Sequence, residues 1–167
     1  TLEEHPTKSS YIERLPGYAA ILGELYGVEE GDVVLITSNS GRNAYPVEMA
    51  FYAKEHGAKV IAITSIDHSS KTSSRHSSGK KLMDLADIVV DNCGVEGDSS
   101  FRMEGMKAAI APTSSMANAF IVQSMVAACC DEMLKNGQEP PVFISLNSDG
   151  SETVNDQLFA KYTRQYK

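Results

Sequence analysis

The stretch Asp32-Val33-Val34-Leu35-Ile36-Thr37-Ser38-Asn39-Ser40-Gly41-Arg42-Asn43 decides the fold. Its first half is a continuous run rich in β-branched and apolar residues, opened by Glu30-Gly31, and it suits a parallel strand buried on both faces. A loop of small polar residues ends that strand. Pro46 then falls in a first helical turn, where its missing N–H costs nothing, and Val47, Ala50, Phe51 and Ala53 give the following helix an apolar side. The helix is expected to stop at Gly57. Lys59-Val60-Ile61-Ala62-Ile63-Thr64 repeats the strand pattern, so residues 32–64 read as a β-α-β unit with a right-handed crossover between parallel strands.

Outward from this unit, Ile88-Val89-Val90 reads as a further short strand and Val142-Phe143-Ile144-Ser145-Leu146, after Pro140-Pro141, as a fourth. Ser115 to Leu134 reads as a long helix, with Phe120, Ile121, Met125, Ala128 and Cys129 at three- and four-residue steps. Upstream, Tyr18 to Tyr26 forms a short amphipathic helix preceded by a loop-like segment rich in Pro, Lys and Ser. Asn155 to Tyr166 forms a short terminal helix. The expected fold class is α/β, a three-layer α-β-α sandwich around a parallel, flavodoxin-like sheet. There is no internal repeat and no linker of Pro/Gly composition.

The chain has 167 residues, 42% of them hydrophobic, which suits one globular domain with a single core. Its net charge of −7 lacks the basic footprint of a duplex nucleic-acid binder. No uninterrupted apolar run approaches the roughly 18 to 20 residues of a membrane span, and Thr1-Leu2-Glu3-Glu4 is no signal peptide. The expectation is a soluble, cytoplasmic protein with no nucleic-acid or membrane partner. Three cysteines cannot all pair, and Cys129 and Cys130 are neighbours on one helix, so buried free thiols are expected. Asp67 to Lys81 is a basic, serine-rich stretch in this acidic chain; it reads as a solvated surface loop, with a flap over an anionic ligand as the alternative.

Ser38-Asn39-Ser40-Gly41-Arg42-Asn43 sits at the carboxyl end of a strand and the amino end of a helix, where α/β sheets bind ligands. Helix-start N–H groups carry the positive end of the dipole and serine hydroxyls add donors, so a phosphate fits there without a lysine. Gly41 allows close backbone approach. Ser and Asn are also ordinary N-cap residues, and the pattern is neither a dinucleotide fingerprint nor a Walker loop, so neither NAD nor ATP is expected.

At this loop the sequence resembles the sugar isomerase (SIS) family, through Leu35 to Asn43 followed by Ala53-Lys54-Glu55-His56-Gly57-Ala58-Lys59-Val60-Ile61-Ala62-Ile63-Thr64. The resemblance implies that Ser38, Asn39, Ser40, Gly41, Arg42 and Asn43 bind a phosphosugar, with Asn43 standing where phosphoheptose isomerases carry a further Ser. The chain looks closest to a bacterial group of phosphoheptose-isomerase-like SIS proteins. Lys8-Ser9-Ser10, Glu13-Arg14-Leu15-Pro16-Gly17, Ser74-Arg75-His76 with Ser78-Gly79-Lys80, and Pro140 to Ser145 carry that likeness. Thr113, Ser114 and Ser115, at the start of the long helix, match a second ligand-facing loop of SIS proteins and equally fit a plain N-cap. Ser40-Gly41-Arg42 with Tyr45 is more distantly similar to the loop of N-acetylmuramic acid 6-phosphate etherases. Against the family pattern, residues 1–167 read as a single SIS domain without its first strand-helix unit, as though truncated at the N-terminus, and a homo-oligomer is expected to cover the exposed sheet edge.

Isomerisation of a sugar phosphate needs a base to move a proton beside a carbonyl. Glu4, Glu48 and His76 are the catalytic candidates, with His5 beside Glu4; the two carboxylates also fit an exposed surface, and His76 a plain loop histidine. The four histidines show no HxH or HExxH spacing, so no metal site or cofactor is expected unless distant residues supply ligands. The expected function is a phosphosugar isomerase acting on a small sugar phosphate. The alternatives are an etherase-like lyase and a non-catalytic phosphosugar-binding or sensor module; SIS-containing transcription regulators carry a helix-turn-helix domain that is not visible here.

Overall fold

The computed structural model describes residues 6–162 and divides the chain into two compact units, residues 1–121 and 122–167. The first unit opens with helices α1 (Pro6–Glu13) and α2 (Tyr18–Tyr26). It continues through β1 (Val33–Thr37), α3 (Ala44–Glu55), β2 (Lys59–Thr64), α4 (Ile66–Ser70), α5 (Leu82–Leu85) and β3 (Ile88–Asp91). A hairpin, β4 (Ser99–Phe101) and β5 (Ile110–Pro112), then leads into α6 (Ser114–Lys135).

Strands β1, β2 and β3 form one parallel sheet in chain order, with Val34 opposite Val60 and Ala62 opposite Val89. The β-α-β unit expected at 32–64 is present, and the α/β class with a parallel sheet stands. The middle strand shows why: Val60, Ala62 and Ile63 are fully buried, as a strand covered on both sides requires. Helix α3 lays Val47, Ala50 and Ala53 inward, and the core joins the two alanines to Ile36, Met49, Ala58 and Leu82.

Helix α2 meets α3 at Gly23. A Cβ there would stand 2.3 Å from the Tyr52 ring, so the glycine is set by close helix packing although it costs about 1 kcal/mol of propensity relative to alanine.

Four local expectations are corrected. Lys8-Ser9-Ser10, read as loop, lies within α1. Val142 to Leu146 is irregular and not a strand. In the second unit Asn155, on α7 (Ser151–Tyr162), accepts from the N–H of Ile144 at 2.9 Å and donates to its carbonyl at 2.8 Å. One side-chain amide thus satisfies the groups that a neighbouring strand would pair. The cysteines are free, but Cys93 and Cys129 are exposed and Cys130 is half-buried. Finally, the basic stretch 67–81 keeps the expected surface exposure but is not loop throughout, and hydrogen bonds fasten it. It begins as α4, and Lys81 Nζ donates to the carbonyls of Ser69 and Thr72. The hairpin β4–β5 has no expectation behind it, because its three-residue strands carry too little alternation to read.

Among the described residues no helix is long and apolar enough to cross a membrane. Strand β1 lies at the edge of its sheet and leaves Val33 and Leu35 exposed, and α6 buries none of its residues.

Candidate functional site

The loop 38–43 continues β1 for one bond, as Ser38 N–H donates to the Ile63 carbonyl at 3.0 Å, and then turns away from the sheet. Gly41 makes the turn at φ +59° and donates its N–H to Ser38 Oγ at 3.2 Å. A Cβ at Gly41 would stand 3.0 Å from Leu82 Cβ, whose own N–H bonds the Gly41 carbonyl at 2.8 Å. The glycine is required both by backbone conformation and by contact with α5.

Asn39 anchors the loop to the neighbouring strands. Its carbonyl accepts from Thr64 Oγ1 at 3.0 Å, and its Oδ1 accepts from Asn92 Nδ2 at 3.0 Å. The same Asn92 amide donates to Asn118 Oδ1 on α6 at 2.8 Å, so the strand ends and α6 share one polar junction.

The donors at the start of α3 remain open. Asn43 is its N-cap residue and is only 6% exposed, yet its side chain makes no capping bond. Its Oδ1 instead accepts from Arg75 Nη1 at 3.1 Å, while the Arg75 N–H donates to the Arg42 carbonyl at 2.8 Å. Arg42 reaches Ser73 Oγ at 3.4 Å through Nη2, and its Nε is buried without a partner. Among the described residues neither Arg42 nor Arg75 pairs with a carboxylate, and the Ser40 hydroxyl has no hydrogen bond. Two guanidinium groups and a free hydroxyl therefore stand at the positive end of a twelve-residue helix.

Glu48 and His76 are brought together. His76 Nε2 lies 3.6 Å from Glu48 Oε1, and the side chains are 14% and 20% exposed respectively, so Glu48 is no surface carboxylate. Gly17 N–H donates to Glu48 Oε2 at 2.7 Å. Ser78 N–H donates to His76 Nδ1 at 3.2 Å and Ser78 Oγ lies 2.8 Å from the same nitrogen, so Nε2 is the ring nitrogen left to face Glu48. Arg14, Ala44, Glu48, Ser74, Arg75 and His76 line a cavity of about 390 Å³ here. Ala44 follows Asn43 directly, so this cavity borders the loop. Glu4 and His5 lie outside the described residues.

Thr113 and Ser114 are occupied from within the chain. The Asp98 carboxylate accepts from the Thr113 and Ser114 N–H groups at 3.1 and 2.8 Å and from their hydroxyls at 3.3 and 2.7 Å. Burial raises the Asp98 pKa, but these four bonds outweigh it and hold the carboxyl below its ordinary value. Ser115 is exposed.

An SIS domain model matches residues 1–65, which hold β1, the 38–43 loop, α3 and β2. A UPF0309 protein of Halalkalibacterium halodurans is 43% identical over 163 residues, covering 98% of this chain and 67% of that protein. One from Caldanaerobacter subterraneus subsp. tengcongensis is 41% identical over 168 residues, covering 99% of this chain and 68% of that protein. The chain belongs to the UPF0309 family of SIS-domain proteins. A further member, from Shouchella clausii, is 40% identical and is matched over 65% of its length. This UPF0309 chain spans about two thirds of the length of these relatives.

Within this UPF0309 chain, the sequence singles out Glu48 and His76 separately but not the placement of Arg14, Arg75 and Gly17 beside them. The basic stretch holding Arg75 was the available signal. Its docking on Arg42 and Asn43 depends on contacts about thirty residues apart in the chain.

Proposed function

We propose that this chain binds a phosphorylated sugar through residues 38–43 and isomerises it with Glu48 and His76. The observation that carries this reading is the withdrawal of the Asn43 side chain from the α3 N-terminus, which leaves the first-turn N–H groups uncapped for a dianion beside the Ser40 hydroxyl and the Arg42 guanidinium, whose Nη2 bonds only Ser73 Oγ. Thr113 and Ser114 would join such a site only by exchanging Asp98 for the ligand, and the Ser115 side chain has no hydrogen bond among the described residues.

In the proposed reaction the Glu48 carboxylate takes the proton from the carbon beside the sugar carbonyl, and His76 Nε2–H donates to the carbonyl oxygen. An enediol forms. Glu48 then returns the proton to the former carbonyl carbon, while His76 recovers its own from the adjacent hydroxyl, and the carbonyl has moved by one position. The cavity beside the pair offers room for the sugar carbons. Glu4 remains a candidate for an additional base. A cytoplasmic homo-oligomer completes the reading, supported by the exposed apolar residues of β1 and α6.

Thermal-shift profiling with sugar 6-phosphates and their unphosphorylated forms tests the binding half. Stabilisation by the phosphorylated sugars alone is expected, and equal shifts with both forms would overturn it. Proton exchange from the bound sugar into deuterated water, followed by NMR, tests the chemistry.

A further inference from the structure

The cavity next to the loop has more cationic capacity than one phosphate at residues 38–43 uses. Arg14 and Arg75 both line it, and Glu48 is the one carboxylate among its lining residues. Glu48 Oε2 accepts from the Gly17 N–H, and Oε1 faces His76 Nε2 at 3.6 Å; neither oxygen pairs with an arginine among the described residues. The Arg14 guanidinium makes no hydrogen bond or ion pair among the described residues, and Arg75 commits only Nη1, to Asn43. A chain with 22 acidic and 15 basic residues nevertheless leaves two arginines at one cavity unpaired with any carboxylate among the described residues. Guanidinium groups with several free donors match a planar or tetrahedral oxyanion.

We propose that this cavity binds a second anionic group of the same ligand, a carboxylate or a second phosphate on the sugar, with Arg14 and Arg75 as its donors. The inference rests on the phosphate reading of residues 38–43 and narrows the ligand class to sugar phosphates with two anionic groups. Residue order supports one ligand spanning both places. Asn43 closes the loop and holds Arg75, and Ala44, the next residue, is already part of the cavity wall.

Titration calorimetry of the 167-residue chain at fixed ionic strength tests this with glucose 6-phosphate, 6-phosphogluconate and fructose 1,6-bisphosphate. At least one dianionic-plus-anionic ligand is expected to bind about 10-fold or more tightly than glucose 6-phosphate, the value of one charge-assisted hydrogen bond. Whichever of the two gains identifies carboxylate or phosphate as the second group. Arg14→Gln should erase that gain and leave glucose 6-phosphate affinity within about 2-fold, whereas Arg102→Gln, the same charge change outside the cavity lining, should leave the gain intact. Binding of glucose 6-phosphate with no gain from either second anion overturns this inference alone, as does an Arg14→Gln variant that weakens all three ligands equally. Binding of none of them overturns it together with the phosphate reading.

Discussion

Asn43 Oδ1 holds Arg75 Nη1 at 3.1 Å, across 32 positions of sequence, and this bond turns an N-cap residue away from its own helix. An N-cap asparagine ordinarily accepts from the helix's second or third N–H, and because the third residue here is Pro46 the available donor is the Tyr45 N–H. Here the cap is given up so that the 73–82 loop is fastened to the 38–43 loop, with Leu82 N–H on Gly41 and Arg75 N–H on Arg42 as the backbone fasteners.

Asn43→Ala should therefore cost about 1 to 3 kcal/mol in chemical denaturation, because it removes a charge-assisted bond from a buried acceptor. Hydrogen exchange in residues 73–82 should rise in the same variant. Unchanged exchange there would show that the backbone contacts alone fasten the loop.

Ser40→Ala separates binding from folding. The hydroxyl bonds nothing among the described residues, so the melting temperature should stay within about 1 °C, while sugar-phosphate affinity falls roughly 10- to 100-fold. Calorimetry and thermal unfolding on one preparation decide it.

Glu48→Gln and His76→Gln should each lower proton exchange from the bound sugar by about 100-fold or more, the usual contribution of a positioned acid or base, with sugar-phosphate affinity changed little. A parallel loss of affinity would make the pair a binding element.

Gly41→Ala places a Cβ 3.0 Å from Leu82 Cβ at φ +59° and should destabilise by about 1 to 3 kcal/mol. Gly23→Ala should also destabilise, against helix propensity, because its Cβ would overlap the Tyr52 ring. Thermal denaturation compares the two.

Asp98 carries an acid dependence. Its folded pKa lies below the unfolded value near 3.9, so its contribution is complete above that value and is lost as pH falls through the folded pKa. Wild type should lose stability below about pH 4, and Asp98→Asn should be less stable at pH 6 and show a flatter acid limb. Equilibrium unfolding across pH 3 to 6 measures both.

Local sequence signals suffice for the β-α-β unit. The apolar run at 33–37, the pattern repeated at 59–64 and Pro46 between them are local signals, and each agrees with the parallel pairing of Val34 with Val60. They also locate the 38–43 loop between a strand end and a helix start, because that succession is a matter of chain order. Tertiary structure alone decided the rest. Whether Asn43 caps α3 or holds Arg75, whether Glu48 faces water or His76, and whether Thr113 and Ser114 are free or held by Asp98 all depend on partners 15 to 32 positions away. The segment 142–146 carries the residues of a strand, but a strand exists only where another pairs with it, and Asn155 took up the groups of Ile144 instead.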